Sequence, residues 1–396
     1  MKSRVLFRWL LLMVLFTGLY ACVDTFNPVL TLDTNLLVVE GVLTDLPVTQ
    51  AITLSRSRST ADSNLTAPVT NAQVQVIVNE TTPFSLSETQ PGRYELPATF
   101  RGRVGDRYQL RFATTDGARY ESTPETMVPV PAIQRVYDQY NPKGPARFAD
   151  GLPTPASDVF VDFQDPAGQR NFYLWRTRLY ERQEWCASCK QGRYFVDDVG
   201  PVGTGPINVR GCIPDKELGV YEFYDYICRD DCWDIFYSTT INILADSYTN
   251  GQPQVGRLVA QVPVYQKDPA LIDVEQLSLT AGAYRYYKLF QDQTQNTGTL
   301  VDTPPAPIVG NVRNVANANE NVIGYFSASS VAINHYWLDR SNVTSGTFRG
   351  LFYAQTGRNP NVELPRGNPP EYGKGLPSAI CIPSPTRTNV RPQGWR

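Results

Sequence analysis

Five of the seven cysteines lie between residues 186 and 232, where their spacing admits three chemistries. Trp185-Cys186-Ala187-Ser188-Cys189-Lys190 matches the dithiol string of redox-active sites, whose first thiolate is stabilised by a helix N-terminus. The surroundings oppose that use. Polar Glu181-Arg182-Gln183-Glu184 stands where a buried strand is required, and Gln191-Gly192-Arg193 is a poor start for an amphipathic helix. The second chemistry is a zinc site, with thiolates from Cys186, Cys189, Cys228 and Cys232 as two separated knuckles. The third is oxidation. Cys186, Cys189, Cys212, Cys228, Cys232 and Cys381 are even in number, and in an exported chain they are expected to form disulfides and to hold no metal. Six cysteines pair in fifteen ways, and the spacing leaves the choice open.

The segment 221–237 sets aromatic rings among carboxylates. Tyr221, Tyr224, Tyr226, Asp230, Asp231, Trp233 and Asp234 form the candidate ligand or partner surface. Rings beside acids suit a glycan or peptide ligand. Paired acids can also hydrolyse glycosidic bonds, and clustered oxygens can hold calcium. The plainer alternative is a strand with its rings packed inward and its acids in a disulfide-bounded loop. His335 is the only histidine, so any Ser-His-Asp triad would need it. It sits in strand-like Asn334-His335-Tyr336-Trp337 without a nucleophile elbow, so a structural or surface role is expected. No catalytic residue and no cofactor are assigned.

The cysteine outside this census is Cys22. Lys2, Arg4 and Arg8 precede the apolar run Trp9–Phe16, and small Gly18 and Ala21 lead to Cys22. A basic head, a short apolar middle and a small residue before the cut describe a secretory signal. The run is too short to span a bilayer, which takes roughly 20 apolar residues. Cysteine directly after the small residue marks a lipoprotein signal, with Cys22 the lipidated residue. Two or more acyl chains then anchor the protein stably, at about 0.8 kcal/mol per buried methylene.

Composition narrows the class. The full chain carries a net charge of −2, and removing residues 1–21 with their three basic side chains leaves a mature protein near −5. A mildly acidic chain without a basic block is a poor nucleic-acid binder. The 31 prolines and 28 glycines suit short strands joined by many turns.

The elements that must position these residues follow from periodicity. Leu36–Leu43 and Gln50–Ser55 read as strands, and Val74, Val76 and Val78 alternate at the period of two expected of a half-buried strand. Tyr94, Leu96, Tyr108, Leu110 and Phe112 continue the pattern, with turns at Pro91-Gly92, Gly105-Asp106 and Asp116-Gly117. The spacing predicts a β-sandwich over residues 34–130, after a signal (1–21) and an acylated tether (22–33). Pro124–Pro131 marks the boundary to a β-rich, cysteine-containing domain over 131–396. There, 159–163 and 171–180 are expected to pair as a hairpin across Asp165-Pro166-Ala167-Gly168. One helix is expected after Thr280 as N-cap, with Tyr284, Tyr287 and Phe290 packed on a sheet. The stretch from Asn359 on reads as surface coil, with Cys381 tying it back.

Several stretches carry a family likeness. Val23-Asp24-Thr25-Phe26-Asn27-Pro28 follows the lipobox. Val38-Val39-Glu40-Gly41, Val274–Thr280, Ala283-Tyr284-Arg285-Tyr286-Tyr287, Gly310-Asn311-Val312 and Gly324-Tyr325-Phe326-Ser327-Ala328-Ser329 come after it in order. The chain resembles domain-of-unknown-function family 4249, outer-membrane lipoproteins of Bacteroidota often encoded beside TonB-dependent receptors. The resemblance implies a lipid-anchored outer-membrane accessory protein with such a receptor as partner, on either face of that membrane, and carries no catalytic residues. The first domain separately resembles Ig-like or prealbumin-like sandwich modules, which act as spacers or docking surfaces. The expected fold is mainly β, a sandwich followed by a larger disulfide-stapled β-rich domain with one or two short helices. The expected function is non-catalytic binding. A glycan-acting envelope enzyme using 221–237, or a structural or adhesive module, are the alternatives.

Overall fold

Alternation buries Leu37, Val39 and Leu43 completely on one face of strand Leu37–Thr44, which opens the first sandwich. In this computed structural model the described residues are 35–60, 63–148, 151–198, 207–220, 222–295, 308–364 and 376–396. The signal, Cys22 and Tyr221 lie outside them. Leu37–Thr44 pairs antiparallel with Ala51–Thr60, which continues to Arg93–Glu95 and Ser87–Gln90. The facing sheet runs Arg119–Ser122, Arg107–Ala113, Gln73–Val78, Thr82–Ser85. Val76, Leu110 and Tyr108 meet Leu54 and Ile52 between the sheets, as their alternation anticipates.

A sandwich confined to 34–130 does not account for both edges. Val322–Ser329 lies parallel to Leu37–Thr44 in full register, and Val312–Asn314 pairs with Arg119–Ser122. Parallel partners need a long crossover, and here the connection takes in the rest of the first sandwich and residues 131–321 of the second domain. The close approach rests on glycine: Gly324 adopts φ +89°, and a Cβ on it would stand 2.0 Å from the Val39 carbonyl oxygen.

The second domain is itself a sandwich. Ile133–Asn141, Ala156–Gln164 and Pro253–Pro263 make one sheet. Val331–Leu338, Ala270–Ser278, Phe172–Arg182, Trp233–Tyr237 and Arg387–Thr388 make the other. Val159, Val161 and Phe163 pack on Tyr173, Trp175 and Val274 between them. The expected hairpin of 159–163 with 171–180 is therefore corrected, because the two strands belong to opposite sheets. The turn between them is a corner. Asp165 accepts the Gly251 N–H at 2.8 Å, which ties it to another loop, and the Tyr173 hydroxyl at 2.5 Å, which ties it to the next strand.

Helix Ala281–Gln295 forms where expected. The Thr280 Oγ1 accepts the Ala283 N–H at 3.2 Å and donates to Glu125 at 2.6 Å, so the cap is also a bond to the first sandwich. Tyr284 packs on Phe172 at 4.8 Å and Tyr286 on Tyr325 at 5.0 Å, one contact in each domain. Glu125 is 4% exposed and also accepts from the Tyr325 hydroxyl at 2.8 Å, with no cation paired to it among the described residues. Burial pushes its pKa above the ordinary carboxyl value of 4.5. A raised folded pKa favours folding at low pH, and that contribution is lost as pH rises through the folded value. Stability should fall across a window opening near the ordinary value, and Glu125→Gln should flatten the fall. Urea midpoints of both proteins between about pH 4 and 8 measure this, and equal slopes would sink the assignment.

A third unit hangs on the second sandwich. Trp185–Lys190 pairs with Phe223–Cys228, and Gly192–Asp198 with Ile207–Pro214. Three disulfides staple it, Cys186–Cys228, Cys189–Cys212 and Cys232–Cys381. The last joins residues 149 apart in sequence and returns the C-terminal segment to the body.

Candidate functional site

The residues of the 221–237 cluster do not share one exposed face. Tyr226 is fully buried; its hydroxyl donates to Glu363 at 2.5 Å and accepts the Tyr194 N–H at 3.0 Å. Burial and then the Glu363 carboxylate raise the Tyr226 pKa well above its ordinary value. Tyr224 is half-buried, with the Arg193 guanidinium 5.1 Å over its ring. Trp233 is 3% exposed. Asp234 is 5% exposed and accepts from Arg387 Nε and Gln183 Nε2, both at 2.6 Å, and from Gln355 Nε2 at 2.9 Å. Tyr226, Trp233 and Asp234 are therefore corrected to interior positions. Much of what covers them comes from residues 351–364 and 376–396, remote in sequence, and Trp233–Asp234 pair directly with Arg387–Thr388. The tail read as surface coil supplies the lid.

Asp225 shows the same design. It is fully buried, and burial alone would raise its pKa. Arg358, which donates twice at 2.6 and 2.7 Å, together with Ser188 and the Asn361 N–H, holds it below the usual carboxylate value. A buried charge that is paired and fully hydrogen-bonded serves structure. Arg358, Glu363, Arg387 and Trp395 carried no local signal, because each finds a partner over a hundred residues away, in Asp225, Tyr226, Asp234 and Trp233.

Asp230 and Asp231 remain exposed and line an open cleft of about 900 Å³. Arg182, Asp268, Trp337 and Trp395 line it too. Arg182 pairs with Asp231 at 2.9 Å, with both side chains 61% exposed, so the bond adds little stability. Trp395 is the wedge: its ring lies 5.5 Å from Trp233 and 5.1 Å from Trp337, near-perpendicular to both. Such edge-to-face contacts hold an aromatic floor in place. Behind the cleft, Glu181 and Arg340 form an ion pair with both side chains wholly buried. Arg340 also donates to the Asp268 carbonyl at 2.6 Å, which fixes the loop that carries the rim. The cleft can therefore offer two aromatic surfaces and charges of both signs to a ligand or partner.

The remaining chemistry resolves simply. Cys186 and Cys189 are each bonded elsewhere, so the Cys-x-x-Cys string is no dithiol and sits on a strand. Disulfides divide the four candidate zinc thiolates. His335 projects from strand Val331–Leu338 with its Nδ1 2.6 Å from Asp273 Oδ1. Among the described residues, no helix is long and apolar enough to cross a membrane.

The model of a family described as a domain of unknown function (DUF4249) matches residues 23–334. No curated protein and no solved structure matches the chain. The cleft takes Arg182, Asp230 and Asp231 from within the matched residues, and Trp337 and Trp395 from beyond them.

Proposed function

Since the chain belongs to the DUF4249 family, which is described by no activity, we propose that it is a lipid-anchored, non-catalytic binding or accessory protein of the outer membrane, working with a TonB-dependent transporter. The observation that carries the reading is the open cleft where exposed Asp230 and Asp231 meet Trp337 and Trp395. Aromatic anchors inside a charged, wet rim suit recognition of a protein loop or glycan. The acids of the segment that are buried are spent on internal ion pairs.

The test is purification from detergent-solubilised membranes with the N-terminus intact. A large β-barrel receptor should co-purify, and mass spectrometry should find an acylated Cys22. Reversing both acids, Asp230→Lys with Asp231→Lys, should reduce receptor recovery by about tenfold, or ~1.4 kcal/mol, at an unchanged unfolding midpoint. Recovery of no receptor, or an unmodified Cys22, would refute the proposal. A glycan-acting enzyme would instead lose turnover in the Asp230→Asn, Asp231→Asn protein.

A further inference from the structure

The corner between the two sheets of the second sandwich carries buried charge that no cation balances. Asp165 and Asp246 are each 1% exposed, and neither forms an ion pair among the described residues. Asp165 begins the turn after Ala156–Gln164, and Asp246 follows strand Asn242–Ala245. Two carboxylates removed from water without a counter-charge are far more costly than two hydrogen-bonded amides.

Their oxygens converge with others on a single point. Asn171 Nδ2 has four oxygens around it: Pro166 O at 3.0 Å, Asp246 Oδ2 at 3.3 Å, Gln169 O at 3.4 Å and Asp165 Oδ1 at 3.5 Å. An amide nitrogen has two hydrogens, so it cannot satisfy four acceptors. A second observation is independent of that cage. Asp246 Oδ1 is buried with no hydrogen-bond partner, and so is Thr249 Oγ1 three residues on. The unpartnered oxygen belongs to the carboxylate whose other oxygen already faces the cage.

Two carboxylates, two backbone carbonyls and an amide oxygen are the hard oxygen donors of a calcium site. Calcium takes about six to eight such ligands in irregular geometry. Magnesium requires a tight octahedron and retains its waters, which a cage of two carbonyls does not suit. Rotation of the Asn171 amide about its soft terminal torsion would set Oδ1 beside these four oxygens in place of Nδ2, leaving a group of donor oxygens with no hydrogen among them, to be held by a cation next to them. We propose that Asp165, Asn171 and Asp246, with the carbonyls of Pro166 and Gln169, bind a calcium ion that fastens loop 246–251 to the 165–171 turn. The two loops already touch: Gly251 donates to Asp165 Oδ2 at 2.8 Å, and a Cβ on Gly251 would stand 2.7 Å from that of Ala167. The ion would lock the corner that sends the chain from one sheet to the other. This site is separate from the cleft and stands or falls independently of the proposed function.

Terbium titrated into chelator-treated protein tests it, because Tyr173 donates to Asp165 at 2.5 Å and is placed to sensitise the bound ion. Sensitised emission should saturate, calcium should displace it, and magnesium at the same concentration should not. Calcium should also raise the unfolding temperature by about 5 °C, as expected for an ion that binds only the folded state. Asp246→Asn should abolish the emission, and the cleft variant Asp231→Asn should keep it. Calorimetric titration of the unaltered protein with calcium chloride requires no variant to fold. Absence of saturable binding in that titration overturns the site, and so does emission lost in Asp231→Asn but kept in Asp246→Asn.

Discussion

Gly324→Ala is expected to destabilise the protein by about 3 kcal/mol or more, among the larger effects a single methyl group can have. The new Cβ would lie 2.0 Å from the Val39 carbonyl oxygen and 2.8 Å from its carbon, both backbone atoms that cannot swing aside. Val39 and Gly324 are register partners, so relief means separating the parallel strands. Gly310 presses from the other side, and its own Cβ would meet the Gly324 oxygen at 1.6 Å. A control isolates the cause. Gly117 has nearly the same φ, +87°, with nothing within 4 Å of a Cβ. Gly117→Ala should cost only the left-handed backbone term, about 1 kcal/mol. Denaturant midpoints of the two variants measure the difference, and equal losses would refute the close approach as the reason for glycine. The Gly-Tyr-Phe-Ser-Ala-Ser stretch thus has a structural explanation, since it is the edge that closes the first sandwich.

Arg340→Met should cost about 3–5 kcal/mol, because it leaves the Glu181 carboxylate buried without its partner. Arg182→Met, one residue from Glu181, removes an exposed pair and should cost under about 1 kcal/mol. Two ion pairs on the same strand end therefore differ severalfold through burial alone. Replacing both members, Glu181→Leu with Arg340→Met, should recover most of the loss, as buried pairs exchanged for apolar side chains often do. Thermal and urea unfolding of the three proteins give the numbers. An Arg340→Met protein as stable as Arg182→Met would show that the pair is solvated after all. The variant should also loosen the loop of Asp268, whose carbonyl Arg340 holds at 2.6 Å, and so disturb the cleft rim.

The two effects mark how far local reading reaches. The helix after Thr280 was legible because its cap and its aromatic spacing lie within one segment. So were the strands of the first sandwich, where Val74, Val76 and Val78 or Tyr108, Leu110 and Phe112 alternate inward. The hairpin expected across Asp165-Pro166-Ala167-Gly168 failed because turn residues specify a change of direction and leave the sheet unspecified. The same four residues serve a hairpin or a corner, and the bond from the Gly251 N–H to buried Asp165 favours the corner. In the 221–237 cluster, the residue types gave no measure of what would cover them.

By itself the sequence determined the mainly β class, the helix and its cap, and an even set of cysteines suited to disulfides, because each depends on neighbours a few residues apart or on composition. Only the tertiary structure decided which of the fifteen cysteine pairings forms. It also decided that residues 322–329 complete a sandwich begun at residue 37, and that the tail buries Tyr226, Trp233 and Asp234 while leaving Asp230 and Asp231 in an open cleft. Those outcomes depend on contacts between segments far apart in sequence. Burial and steric fit select such contacts from many alternatives that local propensity leaves equal.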